Sequence, residues 1–492
     1  MSRYPTRIQP GLRWPLLGCA RLREWEGILQ AELAPHTLMG RAGHAVAQLA
    51  QALYPHAQRI WVACGPGNNG GDGLVAAAAL QAAGRHVHLT WLGDPTHAPA
   101  DTQWAWAQAQ DVPLCTDCPE SADLVIDALL GLGQNRPPEG PCAAHLEHLH
   151  ALAVPVLHVD VPTGLDPETG VWHGPALAPV PRHTLALLAP TPGLFTAQGR
   201  DASGEVWWDD LGGAQTPSGP TTLAHPEAWL ITGVTPVPAR PHASHKGLFG
   251  DVAVVGGATG MTGAASLAAL AALRGGAGRV YLALLAPEGR WDPALNPALM
   301  TRACEALDLP QCHVVCGCGG GEAVRAHLPR LISQSQSLVL DADALNALAQ
   351  EPALVTRLQA RAGRQRATVL TPHPLEAARL LGCSVREVQH NRLASAQALA
   401  QRYAAIVVLK GSGTVCAAQD HTPEIHHGGH PRLATAGSGD VLAGLIGAQL
   451  AQGHAPWLAT QRAVALHGRL AAQWDPHAPF DASALALAIT RD

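Results

Sequence analysis

The stretch Leu433-Ala-Thr-Ala-Gly-Ser-Gly-Asp440, followed by the apolar run Val441 to Ala451, decides how the C-terminal half of the chain folds. The apolar run has the length and composition of a buried helix, and the glycines before it let backbone amides turn inward. Amides at a helix N-terminus, together with the helix dipole, stabilise an anion. The stretch therefore predicts an anion-binding loop with the Asp440 carboxylate on its rim.

Two interpretations of Asp440 are open at this point. Aspartate is a preferred helix N-cap, and capping alone would explain its position. A carboxylate beside a bound phosphoryl group could instead accept a hydroxyl proton as a catalytic base. Lys410 favours the second interpretation, because the turn Lys410-Gly-Ser-Gly-Thr414 follows a β-like run and forms a second loop that can bind an anion.

Lysine usage also marks this site. Only Lys246 and Lys410 are lysines among the 32 basic residues, so thirty are arginines. Either residue can supply a solvated positive charge, but a planar guanidinium cannot replace a compact ammonium directed at a phosphate. Both lysines are therefore candidate site residues.

Length and composition favour a two-domain α/β enzyme. The 492 residues, 47% hydrophobic and 14% charged, exclude a disordered chain. Strand-length apolar runs alternate with Ala- and Leu-rich stretches, which is typical of parallel sheets covered by helices. A net charge of -6 without basic runs argues against nucleic-acid and membrane partners. We expect a cytoplasmic protein with eleven free cysteines, because no signal-peptide pattern or disulfide framework is present.

A change in composition marks the domain boundary. Pro, Gly, Thr and Ser are dense around residues 212–241, where periodicity fades. The sequence predicts domains at 1–215 and 236–492, joined by a linker at 216–235. In the second domain it predicts a strand from Asp251 to Val255 and a helix from Gly263 to Arg274.

A second Gly-rich segment, Gly65-Pro-Gly-Asn-Asn-Gly-Gly-Asp-Gly73, lies between a predicted strand, Ile60 to Cys64, and a predicted helix, Leu74 to Ala83. It lacks the Lys-Ser/Thr pair of a Walker A motif but can form a pyrophosphate cradle, and its asparagines suit a monovalent cation or a polar substrate. Polar residues also follow the β-like runs Leu124 to Ile126 and Val156 to Val161. We expect the three polar strand ends to converge on one crevice.

Five segments of the C-terminal half together resemble the ribokinase-like fold, and specifically the ADP/ATP-dependent NAD(P)H-hydrate dehydratases. They are His245-Lys-Gly-Leu-Phe-Gly250, Val339-Leu-Asp-Ala-Asp-Ala-Leu-Asn346, Leu370-Thr-Pro-His-Pro-Leu-Glu376, Val407-Val-Leu-Lys-Gly-Ser-Gly-Thr414 and the stretch ending at Asp440. The resemblance implies phosphorylation of the hydroxyl on a hydrated nicotinamide ring by ADP or ATP with Mg²⁺, ADP being favoured. Loss of phosphate, a better leaving group than hydroxide, would then regenerate NADH or NADPH.

This resemblance also implies residue roles. Asp440 would be the catalytic base and a substrate ligand. The hydrate pocket would be lined further by Ala264, Gly321 and His373. The AMP part of the nucleotide would be held by Lys410, Gly411, Ser412, Gly413, Thr414 and Gly439.

Some features of this half depart from the family or stay open. Gly317-Cys-Gly-Gly-Gly321 stands where the family usually has Gly-Pro-Gly-Leu-Gly, and Ala436 replaces a usual glycine before Gly437. Neither change removes a charge or a nucleophile. Asp341 and Asp343 fit structural roles as well as metal or substrate binding. His373 is either a site residue or a solvated loop histidine.

Residues 20–215 resemble the NAD(P)H-hydrate epimerase domain, a Rossmann-like three-layer sandwich. The resemblance implies a potassium ion held by Asn69, Asp127 and Thr163. Substrate contacts would come from Asn68, Asn69, Gly70, Gly71, Asp72, Gly131, Leu132, Gly133, Gln134, Asn135, Arg136, Pro137 and Asp160. An epimerase domain ahead of a dehydratase domain is typical of the bifunctional NAD(P)H-hydrate repair family, whose second half accepts only the S hydrate.

The N-terminal half has no lysine, and Thr191 stands where the family commonly has one. Proton transfer must therefore fall to Asp127 or Asp160, or Arg136 must replace the lysine as a charge. Loss of epimerase activity is the alternative for this half.

Partners and alternatives complete the predictions for the whole chain. The predicted partners are NADH hydrate, NADPH hydrate and ADP or ATP, and a homo-oligomer is expected. A ribokinase-like vitamin-precursor kinase fused to a cofactor-binding module, or a non-enzymatic binding protein, are the alternatives.

Overall fold

The computed structural model describes residues 4–9, 11, 13–233, 240–287 and 296–490. The chain divides into two compact units, formed mainly by residues 14–230 and mainly by residues 231–492. Within the predicted linker, residues 216–235, lie a short helix and a strand, while residues 234 and 235 are outside the described residues. Each unit has its own buried apolar core.

The first part of the chain, up to residue 231, forms nine strands and seven α-helices among its described residues. The strands are β1 (Thr6–Arg7), β2 (Arg13–Leu16), β3 (Arg59–Cys64), β4 (His86–Trp91), β5 (Leu124–Ala128), β6 (Val156–Val159), β7 (Arg182–Leu187), β8 (Glu205–Asp209) and β9 (Ala228–Ile231). The helices are α1 (Cys19–Glu32), α2 (Thr37–Leu53), α3 (Asn68–Ala82), α4 (Ala100–Gln108), α5 (Gly140–Ala151), α6 (Gly199–Ser203) and α7 (Gly219–Ala224). Two 3₁₀ helices, Pro192–Phe195 and Gly213–Gln215, complete it.

A seven-stranded sheet organises this unit in the order β1-β8-β7-β6-β5-β3-β4. All neighbours are parallel except β1 and β8. The predicted strand Val156 to Val161 ends two residues early, because Asp160 has a positive φ of 63° that extended backbone does not allow.

The predicted Gly-rich loop Gly65–Gly73 is wrong in extent. Helix α3 begins at Asn68 rather than at Leu74, so most of the segment is helical. The cause is close backbone packing: a Cβ on Gly70 would lie 1.9 Å from the carbonyl oxygen of Gly65. A Cβ on Gly65 would in turn lie 1.7 Å from the carbonyl oxygen of Leu129. These glycines therefore allow a helix to start directly against two neighbouring loops.

The C-terminal unit alternates strands and helices. Its strands are β10 (Asp251–Gly256), β11 (Arg279–Leu284), β12 (Met300–Thr301), β13 (Cys312–Cys316), β14 (Ser337–Leu340), β15 (Thr368–Leu370), β16 (Ile406–Leu409), β17 (Thr414–Ala418) and β18 (His421–His426). Its α-helices are α8 (Thr262–Arg274), α9 (Leu328–Gln334), α10 (Ala342–Gln350), α11 (Pro352–Ala362), α12 (Pro374–Leu381), α13 (Val385–His390), α14 (Arg392–Tyr403), α15 (Ser438–Ala451), α16 (Pro456–Ala472) and α17 (Ala482–Leu487). Short 3₁₀ helices occur at Lys246–Phe249, Cys304–Ala306, Leu309–Gln311, Glu322–Ala326 and Pro431–Leu433.

The strands of this unit follow the order β12-β11-β10-β13-β14-β15-β16-β17-β18. From β12 to β16 they are parallel, and β17 and β18 add an antiparallel end. The structure confirms the predicted α/β class in both parts of the chain. Among the residues described, each helix falls short of the length and apolarity that crossing a membrane requires.

Helix α15 is almost wholly buried and packs against α8, whose buried residues are all alanines. The contact is closest at Gly444, where a Cβ would lie 2.0 Å from the carbonyl oxygen of Ala268. Because backbone cannot move aside as a flexible side chain can, this position requires glycine. The spacing of the two helices, and hence the place of the α15 N-terminus, depends on it.

We expect Gly444→Ala to destabilise the C-terminal unit by about 1–3 kcal/mol, because the added methyl group overlaps the α8 backbone. A matched control is Gly263→Ala in α8, where a Cβ meets no atom within 4 Å. The control should gain up to about 1 kcal/mol from better helix propensity. Differential scanning calorimetry of the full chain tests both, and equal melting temperatures for the two variants would contradict the packing argument.

Candidate active sites

The carboxyl ends of four neighbouring parallel strands carry polar side chains in the C-terminal unit. Cys318 follows β13, Asp341 follows β14, Thr371 follows β15 and Lys410 follows β16. The N-terminal turn of α15 approaches the same edge, because a Cβ on Gly439 would lie 3.2 Å from Lys410 Nζ. The lysine turn and the anion-binding helix start thus meet at one place, as the sequence predicts.

An ion pair between the partly buried Lys410 and the buried Asp341 occupies the centre of this edge. Lys410 Nζ lies 2.8 Å from Asp341 Oδ1, which also accepts a hydrogen bond of 2.7 Å from the Thr371 hydroxyl. Glu376 Oε2 lies 4.0 Å from the ammonium. Burial opposes the charge, but the carboxylates of Asp341 and Glu376 raise the pKa of Lys410 above its ordinary value. The Lys410 side chain therefore stays protonated, and its positive charge lies next to the N-terminus of α15.

Asp440 is the third residue of α15, and the capping position is held by Gly437 with a φ of 88°. The interpretation of Asp440 as an N-cap is therefore wrong. Its side chain is half-buried, and burial together with the nearby Asp341 raises its pKa to about 6. A carboxylate that is mostly ionised at neutral pH yet more basic than usual is suited to accept a proton.

Asp343 takes a structural role rather than a position in the ion-pair cluster. Its Oδ2 accepts a hydrogen bond of 2.8 Å from the backbone amide of Gly321, which has a φ of 53°. The loop also lies against the start of α8, since a Cβ on Gly319 would come within 3.0 Å of the Ala264 methyl group. The predicted pocket residues Ala264 and Gly321 are thus brought to one loop-and-helix junction.

His373 is the N-cap of α12, and 46% of its side chain is exposed. Its Nδ1 accepts hydrogen bonds from the amides of Leu375 and Glu376, and the Glu376 carboxylate accepts one from the His373 amide. Burial and then the neighbouring Lys410 lower the pKa of His373. A neutral imidazole therefore stands within the electrostatic range of the ion pair.

The structure separates the two lysines. Lys246 is exposed in the 3₁₀ helix Lys246–Phe249, and its carbonyl lies against Gly278, directly before β11. This is the amino end of the strands, whereas Lys410 lies at the carboxyl end. Of the two lysines, only Lys410 therefore lies with the predicted site residues at the carboxyl ends of the strands.

Arg392 is a site-supporting residue that sequence analysis missed. Its guanidinium is buried and donates hydrogen bonds of 3.2 Å to the carbonyls of Leu409 and Lys410. A Cβ on Gly411, whose φ is 140°, would lie 2.9 Å from this guanidinium. Burial lowers the pKa of Arg392 to about 10, which leaves it charged. As one of thirty arginines, it carried no compositional signal.

In the N-terminal unit, the three predicted strand ends surround one cavity of about 380 Å³. Three acidic or basic lining residues were missed, because they come from helices far from any Gly-rich segment: Arg23, Glu26 and Asp101. Predicted substrate contacts that line the cavity are Asn68, Asn69, Asp72, Gly131, Leu132, Gly133 and Asp160.

The other predicted contacts have different surroundings. Gly70 packs on Gly65, and a Cβ on Gly71 would lie 2.7 Å from the Met39 side chain. Gln134 is buried and bridges backbone groups, accepting from the Gly164 amide and donating to three carbonyls. The last three predicted contacts are exposed: Asn135, Arg136 and Pro137.

Asp160 is a buried carboxylate in a strained backbone conformation, with a φ of 63°. Burial raises its pKa to about 7, and the Glu26 carboxylate acts in the same direction. Burial, followed by the charges of Asp160 and Glu26, raises the pKa of Asp72 well above its ordinary value. At neutral pH both the protonated and the ionised form of Asp160 are therefore populated.

Asp127 contrasts with Asp160 because its oxygens are already occupied. They accept hydrogen bonds from His158 Nδ1 at 2.8 Å, Thr163 N at 2.9 Å, Thr163 Oγ1 at 2.7 Å and Leu129 N at 3.3 Å. Burial opposes ionisation, but His158 and Thr163 lower the pKa of Asp127 below its ordinary value. Four donors fill the lone-pair positions of a carboxylate. Of the two proposed proton carriers, Asp160 is thus the available one.

These features define an α/β enzyme with a phosphoryl-transfer site in one unit and an acidic substrate cavity in the other. Residues 252–490 match the family described as NAD(P)H-hydrate dehydratase, and residues 35–193 match the YjeF-related protein N-terminus. The chain belongs to the family of bifunctional NAD(P)H-hydrate repair enzymes.

Two curated relatives illustrate this membership, and one solved structure is similar to part of the chain. The bifunctional NAD(P)H-hydrate repair enzyme of Escherichia coli is 36% identical, over 89% of this chain and 85% of the relative. That of Coxiella burnetii is 34% identical, over 92% and 93%. The ADP/ATP-dependent NAD(P)H-hydrate dehydratase of Bacillus subtilis, co-crystallised with ATP and Mg²⁺, is 28% identical with a TM-score of 0.43, over 51% of this chain and 91% of that one.

We expect Arg392→Met to raise the KM for the nucleotide about tenfold or more, since buried carbonyls of the loop after β16 lose their donor. The control is Arg402→Met on the same helix, because Arg402 is exposed and donates one long bond, 3.4 Å, to the Leu381 carbonyl. Steady-state kinetics with varied ADP compares the two variants. An equal KM in both would show that the Arg392 guanidinium does not shape the loop.

Proposed function

We propose that the C-terminal unit phosphorylates the ring hydroxyl of the S form of NAD(P)H hydrate and then eliminates phosphate, while the N-terminal unit interconverts the R and S forms. Membership in the bifunctional repair family confirms the class of enzyme predicted from the sequence. The observation that carries the dehydratase assignment is the Asp440 carboxylate at the start of α15, beside the Lys410 ammonium. Base, positive charge and helix amides are the groups that phosphoryl transfer needs.

The proposed reaction assigns one task to each group. Asp440 accepts the proton of the ring hydroxyl as its oxygen forms a bond to the transferred phosphorus. The bond from that phosphorus to the nucleotide breaks, and AMP leaves when ADP is the donor. Lys410 and the amides at the α15 N-terminus stabilise the negative charge on the phosphoryl oxygens. The ring nitrogen then expels phosphate, and loss of a ring proton restores the double bond of NADH or NADPH.

Magnesium supplies charge neutralisation on the nucleotide phosphates when it is bound. The best grouping of potential ligands among the described residues is Cys318, Asp341 and Asp440. It does not suit Mg²⁺, which prefers oxygen ligands in an octahedron, because one member is a thiol and Asp341 is paired with Lys410. We therefore propose that Mg²⁺ enters with the nucleotide and is held through its phosphates rather than by this cluster.

We expect Asp440→Asn to lower kcat for dehydration by about 10²-fold or more, because the amide cannot accept the hydroxyl proton. ADP binding, measured by calorimetry, should remain. In the unsubstituted enzyme kcat/KM should fall as the pH drops below about 6, where Asp440 becomes protonated. Unchanged turnover in the variant would refute this mechanism.

The product distinguishes the repair reaction from the kinase alternative. Incubation of the chain with the S hydrate and ADP should restore the absorbance of reduced nicotinamide and release AMP. If the hydrate is unaffected but a vitamin alcohol such as a hydroxymethylpyrimidine is phosphorylated, the chain is a vitamin-precursor kinase instead.

For the N-terminal unit we propose that Asp160 transfers the proton during epimerisation. Its pKa of about 7 means that both forms of the carboxyl group are populated at neutral pH. It can protonate the departing ring hydroxyl and then deprotonate the returning water, as a general acid and base must. Asp127 instead holds the loops around the cavity, and no lysine is required.

Potassium is proposed to bind near Asn69, Asp127 and Thr163. The cation would be bound by the Asn69 side-chain oxygen, because the Asn69 nitrogen, buried without a partner among the described residues, is a donor that is left for an acceptor on the substrate. Four donors already occupy the Asp127 carboxylate, so a cation at one of its oxygens would displace one of them. The Thr163 hydroxyl, which donates to Asp127 at 2.7 Å, would turn its oxygen toward the cation instead. One carboxylate with two neutral oxygens suits a weakly hydrated monovalent cation better than a divalent one. Cytoplasmic localisation and a homo-oligomeric state also stay predictions.

We expect Asp160→Asn to abolish conversion of the R hydrate beyond its spontaneous rate, while conversion of the S hydrate continues. The assay uses mixed R and S hydrates with ADP in potassium buffer, and is repeated with lithium in place of potassium. Asp94→Asn is the control, because Asp94 is exposed and bonds only within its own turn, to Thr96 and His97. If the unsubstituted chain also leaves the R hydrate unconverted, the N-terminal unit has lost epimerase activity.

A further inference from the structure

Cys318 lies beside the proposed catalytic base. The residue is fully buried, two positions after the end of β13. Its Sγ and one carboxylate oxygen each of Asp341 and Asp440 all lie within 4.8 Å of one another. At this range the thiol lowers the pKa of the Asp440 carboxyl, opposing the effect of burial. In a hydrogen bond between the two groups the carboxylate can only accept, so the thiol would be the donor.

We propose that Cys318 is a positioning residue for the dehydration reaction, whose thiol holds the Asp440 carboxylate ionised and oriented toward the substrate hydroxyl. This inference rests on the proposed role of Asp440 as the base. The sequence supports it as a feature of this chain, because position 318 lies in the loop Gly317-Cys-Gly-Gly-Gly321, where the resembled family usually has a proline. Proline has no donor in its side chain, so a chain with proline at this position cannot make the hydrogen bond that the cysteine can make.

The thiol is well placed to remain a donor. Burial, followed by the charges of Asp440 and Asp341, raises the pKa of Cys318 well above its ordinary value. It therefore keeps its proton throughout the range in which Asp440 titrates. A neutral donor stabilises the ionised carboxylate without adding a second positive charge, which would compete with Lys410 for the nucleotide phosphates.

The other groups around Asp440 do not replace this donor. Asp341 and Asp343 favour the protonated form, whereas Lys410 favours the ionised form. The Lys410 ammonium is already shared with Asp341 and, at longer range, Glu376.

The helices packed on the start of α15 add little charge. On α16, His467 is neutral at working pH, since burial lowers its pKa to about 4, and it bonds the Ser438 carbonyl. Near Gly437 the neighbours from α8 and α17 are the apolar side chains of Leu267 and Ala482.

The pH profile of dehydration tests the proposal. In Cys318→Ala the hydrogen bond is lost, so the pKa of Asp440 rises and the acid limb of kcat/KM should move up by about 0.5 to 1 pH unit. Cys318→Ser restores a donor of similar shape, and its limb should lie at or below that of the unsubstituted enzyme. An unmoved limb in both variants overturns the proposal.

Two further variants, Cys316→Ala and Asp440→Asn, distinguish a failure of this proposal from a failure of the proposed base. Cys316→Ala removes an equally buried thiol from β13, and it should cost stability without moving the acid limb. If Cys318→Ala does not fold, as judged by its melting temperature, Cys318→Val takes its place, since valine has a similar shape but no donor; an unmoved limb in that variant overturns the proposal. If Asp440→Asn retains turnover, the base itself is misassigned. Loss of turnover in Asp440→Asn with an unmoved limb in Cys318→Ala refutes only the role of the thiol.

Discussion

The largely buried ion pair between Lys410 and Asp341 is the interaction on which the C-terminal site depends. Its two members follow β16 and β14, the strands on either side of β15, and the start of α15 lies directly against the ammonium. A buried ion pair seldom adds net stability, because both charges lose their hydration. Its presence at the carboxyl ends of the strands is therefore best explained by function: it fixes a positive charge where phosphates bind, and it leaves Asp440 as the neighbouring basic carboxylate.

The two sites show how surroundings assign different roles to one residue type. Asp440 and Asp160 are buried with few donors, and their pKa values rise to about 6 and about 7. Asp127 is more deeply buried, yet its pKa is lowered, because His158, Thr163 and a backbone amide all donate to it. Donor count, rather than burial, thus separates a carboxylate that exchanges protons from one that holds loops together.

Much of this arrangement could be predicted from the sequence, since strand ends carry recognisable polar motifs. The pairing of Lys410 with the Asp440 loop followed from chain pattern alone, as did the convergence of three polar strand ends on one cavity. What could not be predicted depends on tertiary contacts. The early start of α3 reflects backbone packing of Gly65 and Gly70, and Arg392 is significant only because the fold places it behind a loop.

The shortage of lysine explains the chemistry of the N-terminal cavity. Thr191, where the resembled family commonly has lysine, is buried at the N-cap of the 3₁₀ helix Pro192–Phe195. An ammonium among these carboxylates would hold them ionised and lower their pKa values. Instead, the charge that acts on Asp160 is that of Glu26, another carboxylate, and its effect adds to burial. This half of the chain has no lysine to hold its carboxyl groups ionised, and the pKa of Asp160 rises to about 7, so one carboxyl group can serve as both acid and base.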